Sequence, residues 1–216
     1  DTKKISADED VRVKTLSIGV VIPDKFIELA RDNKPMYVFY PNTVYKATGK
    51  RFSDIDMTKE YDELVANPNI RKERINPRQL FEKIAALRFE SGYPYVMFND
   101  NVNAVHPLDG TVKFSNLCSE ILQLTEQSTY NDYGVEDEIG LDVSCNLGSL
   151  NIANVMRNKD VGRAVSLAMD ALTAVSEATN ITNAPAVQRA NVEMRSVGLG
   201  AMNLHGYLAQ NNIAYD

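Results

Sequence analysis

The sequence contains no tryptophan, two cysteines and two histidines. Two cysteines cannot build a disulfide scaffold, and with His106 and His205 far from them they do not form a structural zinc site. The apolar stretch at residues 18–22 stops at Pro23, well short of the roughly 18 apolar residues of a membrane span. We therefore expect no secreted disulfide domain, zinc module or membrane protein. A reducing, cytoplasmic setting follows, in which functional cysteines act as thiols.

Positive charge is also scarce, with 23 Lys and Arg against 29 Asp and Glu and a formal net charge of -6. General nucleic-acid binders usually carry a basic surface, so no nucleic-acid partner is expected. A nucleotide site stays compatible with this charge, because a few local donors can hold one nucleotide. The apolar fraction of 44% and charged fraction of 24% are ordinary for a globular protein.

Hydrophobic periodicity predicts a mixed α/β chain, and no repeat or flexible linker interrupts it, so residues 1–216 are interpreted as one domain without an internal boundary. Predicted strands cover residues 13–22, 37–40 and 95–98, with a strand or tight approach at 195–200. Predicted helices cover residues 25–31, 76–91, 160–179 and 201–210. The remaining segments are predicted as a surface excursion at 42–77 with a helical piece at 61–66, an Asn-rich loop at 99–110, and an exposed acidic segment at 132–142.

Three polar groups alternate in the segment around Cys118. In an extended chain Asn116, Cys118 and Glu120 share one face, so an amide, a thiol and a carboxylate lie within about 14 Å of backbone. In a tight loop tip they converge more closely. A purely structural interpretation is also open, with Cys118 as a small buried apolar side chain, Asn116 in a turn and Glu120 in solvent. Spacing alone favours this structural interpretation.

Other motifs are weaker. Gly198-x-Gly200 before a helix imitates a dinucleotide fingerprint, but its third glycine would fall at Asn203, so close packing of a strand on a helix is the better interpretation. His106 is predicted as a loop residue and His205 as a packing or surface residue. Residues 71–74 are predicted as a solvated charged face.

Four sequence segments, in the same order, resemble the large subunit of ribonucleotide reductase, most closely the bacterial class Ib branch. They read ESGYPY at 90–95, SNLCSEI at 115–121, DVSCNLGSLN at 142–151 and VGLGAM at 197–202, and the opening residues 1–24 also have a counterpart. The resemblance covers essentially the whole chain but only about the middle third of the family's large subunit. Both chain ends accordingly look cut from a longer protein. It implies an α/β fold, part of a ten-stranded α/β barrel with the catalytic loop at its centre.

The resemblance also implies a role for each matching residue. Cys118 would carry the thiyl radical that removes the 3′-hydrogen of a ribonucleoside diphosphate, and Glu120 would take the proton of the 3′-hydroxyl. Asn116 would hydrogen-bond the sugar hydroxyls, and Leu117 and Ser119 would contact the substrate through their backbone. Cys145, treated apart from the radical loop, would be one of two redox-active thiols that close into a disulfide. Its partner thiol would lie before residue 1.

By the same resemblance, this segment would bind no metal or cofactor of its own. A partner small subunit would generate the radical with a manganese- or iron-dependent di-metal tyrosyl cofactor. A glutaredoxin- or thioredoxin-like protein would re-reduce the thiols, the nucleotide effector site would lie outside this segment, and the full-length enzyme would be a homodimer.

Two alternatives from other classes stay open. The chain would be an inert structural segment or split-gene piece if it acts only when complementary chains complete the barrel. It would instead be a thiol switch if Cys118 and Cys145 pair with each other under mild oxidation. Restored turnover on adding the missing flanks distinguishes the first alternative, and a Cys118–Cys145 disulfide distinguishes the second.

Overall fold

The computed structural model describes residues 16–215. The chain divides into two compact units, residues 1–122 and residues 123–216. The single partial barrel domain expected from the sequence stays a prediction. The strand predicted at 13–22 is observed at Gly19–Ile22, while residues 13–15 lie outside the described residues together with the opening residues 1–4.

The first unit alternates short strands and helices. In chain order they are β1 (Gly19–Ile22), α1 (Asp24–Arg31), β2 (Met36–Phe39), α2 (Pro41–Thr48), a 3-10 turn (Phe52–Asp54), α3 (Tyr61–Ala66), β3 (Lys72–Ile75), α4 (Pro77–Ser91), β4 (Tyr95–Phe98) and α5 (Asn99–Val105). β1 pairs with β4 in parallel, with Gly19 opposite Tyr95. β2 pairs with β3 in antiparallel fashion. The predicted α1, β2 and β4 are confirmed, β2 with a shift of one residue.

The segment at 42–77 contains a small hydrophobic cluster of its own. Val44 of α2, Leu64 of α3 and Ile70 are buried together, and four partly buried side chains pack against them: Phe39, Phe52, Ile55 and Met57. The helical piece at 61–66 is confirmed as α3. The segment predicted as a surface excursion therefore includes buried residues, and α2 was not predicted from its polar sequence.

The helix α4 begins and ends where the sequence predicts. The Asn76 side chain accepts a hydrogen bond from the Gln79 amide, Pro77 occupies the first turn, and Gly92 ends the helix in the left-handed conformation. Each of these residue types has a local physical preference for its position. The boundaries of α4 are confirmed for this reason.

The helix α5 replaces the Asn-rich loop predicted at 99–110, so that prediction is wrong for residues 99–105. Asparagine is a weak helix former because its side chain competes for backbone hydrogen bonds. Here the Asn103 side chain bonds to Val112 as well as to the Asn99 carbonyl of its own helix, accepting from the Val112 N–H at 2.8 Å and donating to the Val112 carbonyl at 3.0 Å. Asp100 accepts from the Asp24 amide at 2.8 Å. These long-range bonds override the local preference.

The second unit contains β5 (Asn146–Asn151), α6 (Ile152–Arg157), α7 (Val161–Ala178), α8 (Pro185–Met194), β6 (Val197–Met202) and α9 (Leu204–Gln210). β5 and β6 pair in parallel along six residues, from Asn146 opposite Val197 to Asn151 opposite Met202. The predicted α7 is confirmed and is capped by Asp160. The acidic segment at 132–142 is exposed except at three positions near its C-terminal end, residues 139–141.

Three details of the second unit correct the sequence prediction. The helix predicted at 201–210 begins only at Leu204, because residues 201–202 continue the pairing of β6 with β5. The helices α6 and α8 were not predicted. A Cβ atom on Gly198 would lie 2.6 Å from Leu147 Cδ2, so this glycine allows close approach to the side chain of a paired strand, not to a helix.

Six strands are present among the described residues, and they form three two-stranded sheets. The mixed α/β class is confirmed, whereas the ten-stranded barrel stays a prediction. Within residues 16–215, none of the helices combines the length and the apolar character needed to cross a bilayer. The same described stretch brings no three His, Cys, Asp or Glu side chains into a group that could hold a metal ion.

We predict that Asn76→Ala loosens the first turn of α4, because the Gln79 amide loses its acceptor. Loss of an N-cap costs about 1 kcal/mol, which corresponds to roughly fivefold faster exchange of that amide. Hydrogen–deuterium exchange resolved to the peptide at 77–81 measures the change. Asn69→Ala is the control, since Asn69 is exposed and only its backbone N–H takes part in the turn there. Equal exchange in the two variants would contradict the capping role.

Candidate active site

Cys118 lies in a tight turn formed by residues 115–122, which we call the Cys118 turn. Ser115 and Leu122 form an isolated antiparallel bridge at its base, and the Ser119 amide donates to the Asn116 carbonyl at 3.1 Å. Ser119 has a φ of 66°, a left-handed conformation that an extended strand does not contain. The extended conformation considered for this segment is therefore wrong, and the loop-tip alternative is confirmed.

Two side chains at the base hold the turn closed. The Asn116 Oδ1 atom accepts a hydrogen bond from the Ile121 amide at 3.0 Å. The buried Ser115 hydroxyl donates to the Ile121 carbonyl at 2.6 Å. Both polar groups of the Ile121 backbone are thus satisfied within the turn, as buried or half-buried backbone groups require. No partner of the Asn116 Nδ2 atom is recorded among the described residues, so this N–H group can donate to a ligand.

The tip of the turn is open to solvent. Cys118 is exposed, Leu117 beside it is 67% exposed, and Glu120 is exposed as well. A core cysteine would be buried among apolar side chains, so the structural interpretation is wrong about the burial of Cys118, although Asn116 does lie in a turn and Glu120 is exposed, as that interpretation expects. The turn thus exposes a thiol that lies between an amide and a carboxylate in the chain.

A pocket of about 250 Å³ lies beside the turn within the first unit. Its walls come from the paired strands β1 and β4 and from the turn itself, and include Gly19, Tyr95, Met97, Asn116, Leu117 and Ser119. Three of the five predicted substrate-binding residues therefore meet at one pocket. Cys118 and Glu120 stand next to these lining residues in the chain but are not part of its walls.

Two tyrosines near the turn were not identified from the sequence. The rings of Tyr93 and Tyr95 lie 4.9 Å apart between centroids, and the Tyr93 hydroxyl is 3.4 Å from the Ser17 hydroxyl. A hydrogen bond from the Tyr95 hydroxyl to Tyr93 raises the pKa of Tyr95 above its ordinary value. Electrostatic interaction with Tyr93, partial burial, and weaker electrostatic interactions with Cys118 and Glu120 raise this pKa further. Tyr95 therefore stays a neutral phenol within electrostatic range of Cys118 and Glu120. The sequence contained one indication of this, since Tyr95 begins a predicted strand that precedes the turn in the chain.

Cys145 belongs to the second unit, where it directly precedes β5. The thiol is half-buried and lies 3.6 Å from the Asn146 carbonyl oxygen. The neighbouring Asn146 Nδ2 atom is buried without a hydrogen-bond partner in the described part of the chain. Such unsatisfied donors are rare in folded proteins. The two cysteines are not joined by a disulfide, and they belong to different units.

The histidines and the charged run take ordinary structural positions. His106 follows α5, and its Nε2 atom lies 3.1 Å from Asn103 Oδ1. His205 is exposed on α9. Both predictions are confirmed. Residues 71–74 lead into and form most of β3, where all but Lys72 are exposed.

Comparison with known proteins shows which family the chain resembles. The model of the family described as ribonucleotide reductase, barrel domain, matches residues 1–216. Over its whole length the chain is 67% identical to the ribonucleoside-diphosphate reductase subunit alpha of Bacillus subtilis (strain 168) and covers 31% of that protein. It is 46% identical to the protein of the same name from Mycoplasma pneumoniae, of which it covers 30%, and 28% identical to that from Chlamydia pneumoniae, of which it covers 20%. The chain thus spans a third or less of the length of these relatives. Because the family model matches every residue, the chain belongs to the ribonucleotide reductase barrel-domain family.

Proposed function

We propose that this chain is the radical-bearing catalytic segment of a ribonucleoside-diphosphate reductase. The enzyme converts ribonucleoside diphosphates to 2′-deoxyribonucleoside diphosphates, the precursors of DNA. The observation that carries the proposal is the exposed Cys118 thiol at the tip of a hydrogen-bonded turn whose neighbouring residues line a pocket. The names of the relatives support the choice of substrate class.

The proposed reaction removes one hydroxyl group and consumes two thiols. The Cys118 thiyl radical takes the hydrogen atom from the ribose C3′, and the Glu120 carboxylate accepts the proton of the 3′-hydroxyl. The 2′-hydroxyl then leaves as water. Cys145 and a partner thiol outside the chain supply two electrons and two protons and become a disulfide. The hydrogen atom held by Cys118 returns to C3′ and Glu120 returns its proton to the 3′-oxygen, which restores the thiyl radical, the carboxylate and the 3′-hydroxyl. A dithiol protein of the glutaredoxin or thioredoxin type reduces the disulfide for the next turnover.

The hydrogen bonds of Asn116 divide its side chain between two tasks. Its Oδ1 atom is occupied by the Ile121 amide and keeps the Cys118 turn closed. Its Nδ2 group is therefore the part that donates to a ribose hydroxyl. A donor directed at the 2′-oxygen stabilises that oxygen as it departs. Asn116 acts on the substrate through its nitrogen and on the protein through its oxygen.

The size of the pocket limits what this chain binds by itself. At about 250 Å³ it is smaller than the roughly 300–1,000 Å³ of typical small-molecule sites. We assign the sugar to this space, bordered by Asn116, Leu117 and Ser119. The base and the phosphates then need walls from the remainder of the enzyme, which agrees with the share of its relatives that the chain covers.

Radical supply and regulation are assigned to parts outside this chain. A partner small subunit would hold a di-metal tyrosyl cofactor, containing manganese or iron, that would supply the oxidising equivalent for Cys118. We place the effector site elsewhere in the large subunit, and we propose a homodimeric, cytoplasmic enzyme. The alternative of a catalytically inert segment then describes the isolated chain, which lacks the partner thiol of Cys145. No observation favours the thiol switch as a second function.

We predict that Cys118→Ala abolishes turnover in the full-length reductase, assayed with its small subunit and a dithiol reductant. Without the Cys118 sulfur no radical forms at the tip of the turn, so formation of deoxyribonucleoside diphosphate falls to background. Substrate affinity measured by equilibrium binding should stay unchanged, because Cys118 does not line the pocket. Turnover by the variant would show that the catalytic assignment is wrong.

We predict that Asn116→Asp and Asn116→Ala separate the two tasks of Asn116. The aspartate keeps an acceptor for the Ile121 amide, so exchange of that amide stays slow. It lacks the nitrogen donor, and a lost hydrogen bond of about 1–1.5 kcal/mol lowers kcat/KM roughly tenfold. The alanine loses both functions, and the Ile121 amide exchanges faster. Wild-type kcat/KM in Asn116→Asp would rule out the proposed donor.

A further inference from the structure

Gln123, the first residue of the second unit, is the most deeply buried long polar side chain among the described residues, at 1% exposure. Its Oε1 atom accepts from the Ser144 amide at 2.9 Å, and its Nε2 atom donates to the Ser144 carbonyl at 2.8 Å. The same Nε2 atom also contacts the Ser196 hydroxyl. The side chain thus holds both backbone groups of Ser144 in the way that a neighbouring strand would. We call these three contacts the Gln123 clamp.

The clamp acts at the point where β5 and β6 begin. Ser144 directly precedes Cys145, and Ser196 directly precedes β6. The two segments are joined there by the Asn146 amide, which donates to the Ser196 carbonyl at 3.3 Å. Gln123 therefore restrains the backbone on one side of Cys145, while strand pairing restrains it on the other.

Gly198 on the neighbouring strand lies against the Cys145 thiol. A Cβ atom on Gly198 would lie 3.7 Å from Cys145 Sγ, an ordinary contact distance, and 2.6 Å from Leu147 Cδ2, so that the end of Leu147 would have to move. The sulfur thus lies beside the surface of β6, and the clamp on Ser144 restrains the backbone that carries it.

Burying a glutamine side chain is energetically unfavourable unless its amide is hydrogen-bonded. A buried amide that lacks partners costs about 1–3 kcal/mol, whereas an apolar side chain of the same length fills the same volume without that risk. Fully satisfied buried polar groups instead specify one backbone arrangement. The physical role of Gln123 is therefore the geometry of Ser144 and of the residue that follows it.

We propose that Gln123 is a positioning residue that sets where the Cys145 sulfur stands, an inference that rests on the proposed function of Cys145 as a reducing thiol. Gln123 does not touch the thiol and acts through the Ser144 backbone. Cys145 must first approach the ribose and then form a bond with its partner sulfur. In that step two thiols give up two electrons and two protons to the substrate, and the S–S bond of about 2 Å tolerates little displacement.

The test uses the full-length reductase with its small subunit and a dithiol reductant, in which Gln123→Met keeps the volume of the side chain and removes its hydrogen bonds. Displacement of a reacting group by about 1 Å lowers turnover by up to about 100-fold, so we expect kcat to fall by about 10- to 100-fold with KM unchanged. Iodoacetamide labelling, resolved for each cysteine by peptide mass spectrometry, should change severalfold in rate at Cys145 and stay unchanged at Cys118.

The second unit offers a matched control in the pair of Ser176 and Asn191. Both are buried, the Ser176 hydroxyl donates to Asn191 Oδ1 at 2.8 Å, and Asn191 Nδ2 donates to the Ser176 carbonyl at 2.9 Å. Asn191→Leu removes a buried amide with similar bonds from another place in the same unit. It should lower the thermal stability of the protein without changing kcat or the labelling of Cys145.

Ser196→Ala keeps the inference testable if Gln123→Met does not fold, because it removes only one contact of the clamp. It should change kcat and Cys145 labelling in the same direction as Gln123→Met and by less. If Gln123→Met and Ser196→Ala lower thermal stability but leave kcat and Cys145 labelling unchanged, as expected for Asn191→Leu, the positioning role is overturned.

Cys145→Ser separates the two proposals. Continued multiple turnover in this variant overturns the proposed function of Cys145 and the positioning role together, whereas an inactive variant leaves only the positioning role at risk.

Discussion

The hydrogen bond of 3.0 Å from the Ile121 amide to the Asn116 side chain is the interaction on which the candidate site depends. The chain reverses direction between Ser115 and Leu122, and the backbone groups inside so short a turn have few partners available. Asn116 supplies one and Ser115 supplies another. With the turn closed in this way, Cys118 is held at the tip beside the pocket and does not pack into the core.

In the second unit, too, a side-chain amide bonds to the backbone that carries a thiol. There the amide of Gln123 bonds to both backbone groups of Ser144, the residue before Cys145. Each thiol is therefore attached to backbone that a nearby carboxamide side chain restrains. A reacting group needs support that keeps it within a fraction of an ångström of its productive position. Gln123 provides that support through both of its polar atoms, and Asn116 provides it through its oxygen alone.

Local sequence rules succeeded where the determining contacts are close in the chain. The helix α4 was predicted at its observed bounds because Asn76 and Gly92 supply its ends. The helix α7 was predicted from its amphipathic run, and the structure adds that Asp160 caps it. The same rules failed at α5, where Asn103 is bonded to Val112 outside the helix. They also did not separate residues 201–202 from α9, because pairing with β5 decides that these two residues are a strand.

The sequence by itself determined the family, the mixed α/β class and the capped helices, and it supplied the residues that we propose as reactive, because ordered motifs and short-range preferences are contained in the chain. Only the tertiary structure decided that the segment around Cys118 is a turn, that Tyr95 lies within electrostatic range of Cys118 and Glu120, and that Gln123 bonds to Ser144. The physical reason is that these features depend on hydrogen bonds and packing between residues brought together by folding. Periodicity along the chain carries no information about such partners.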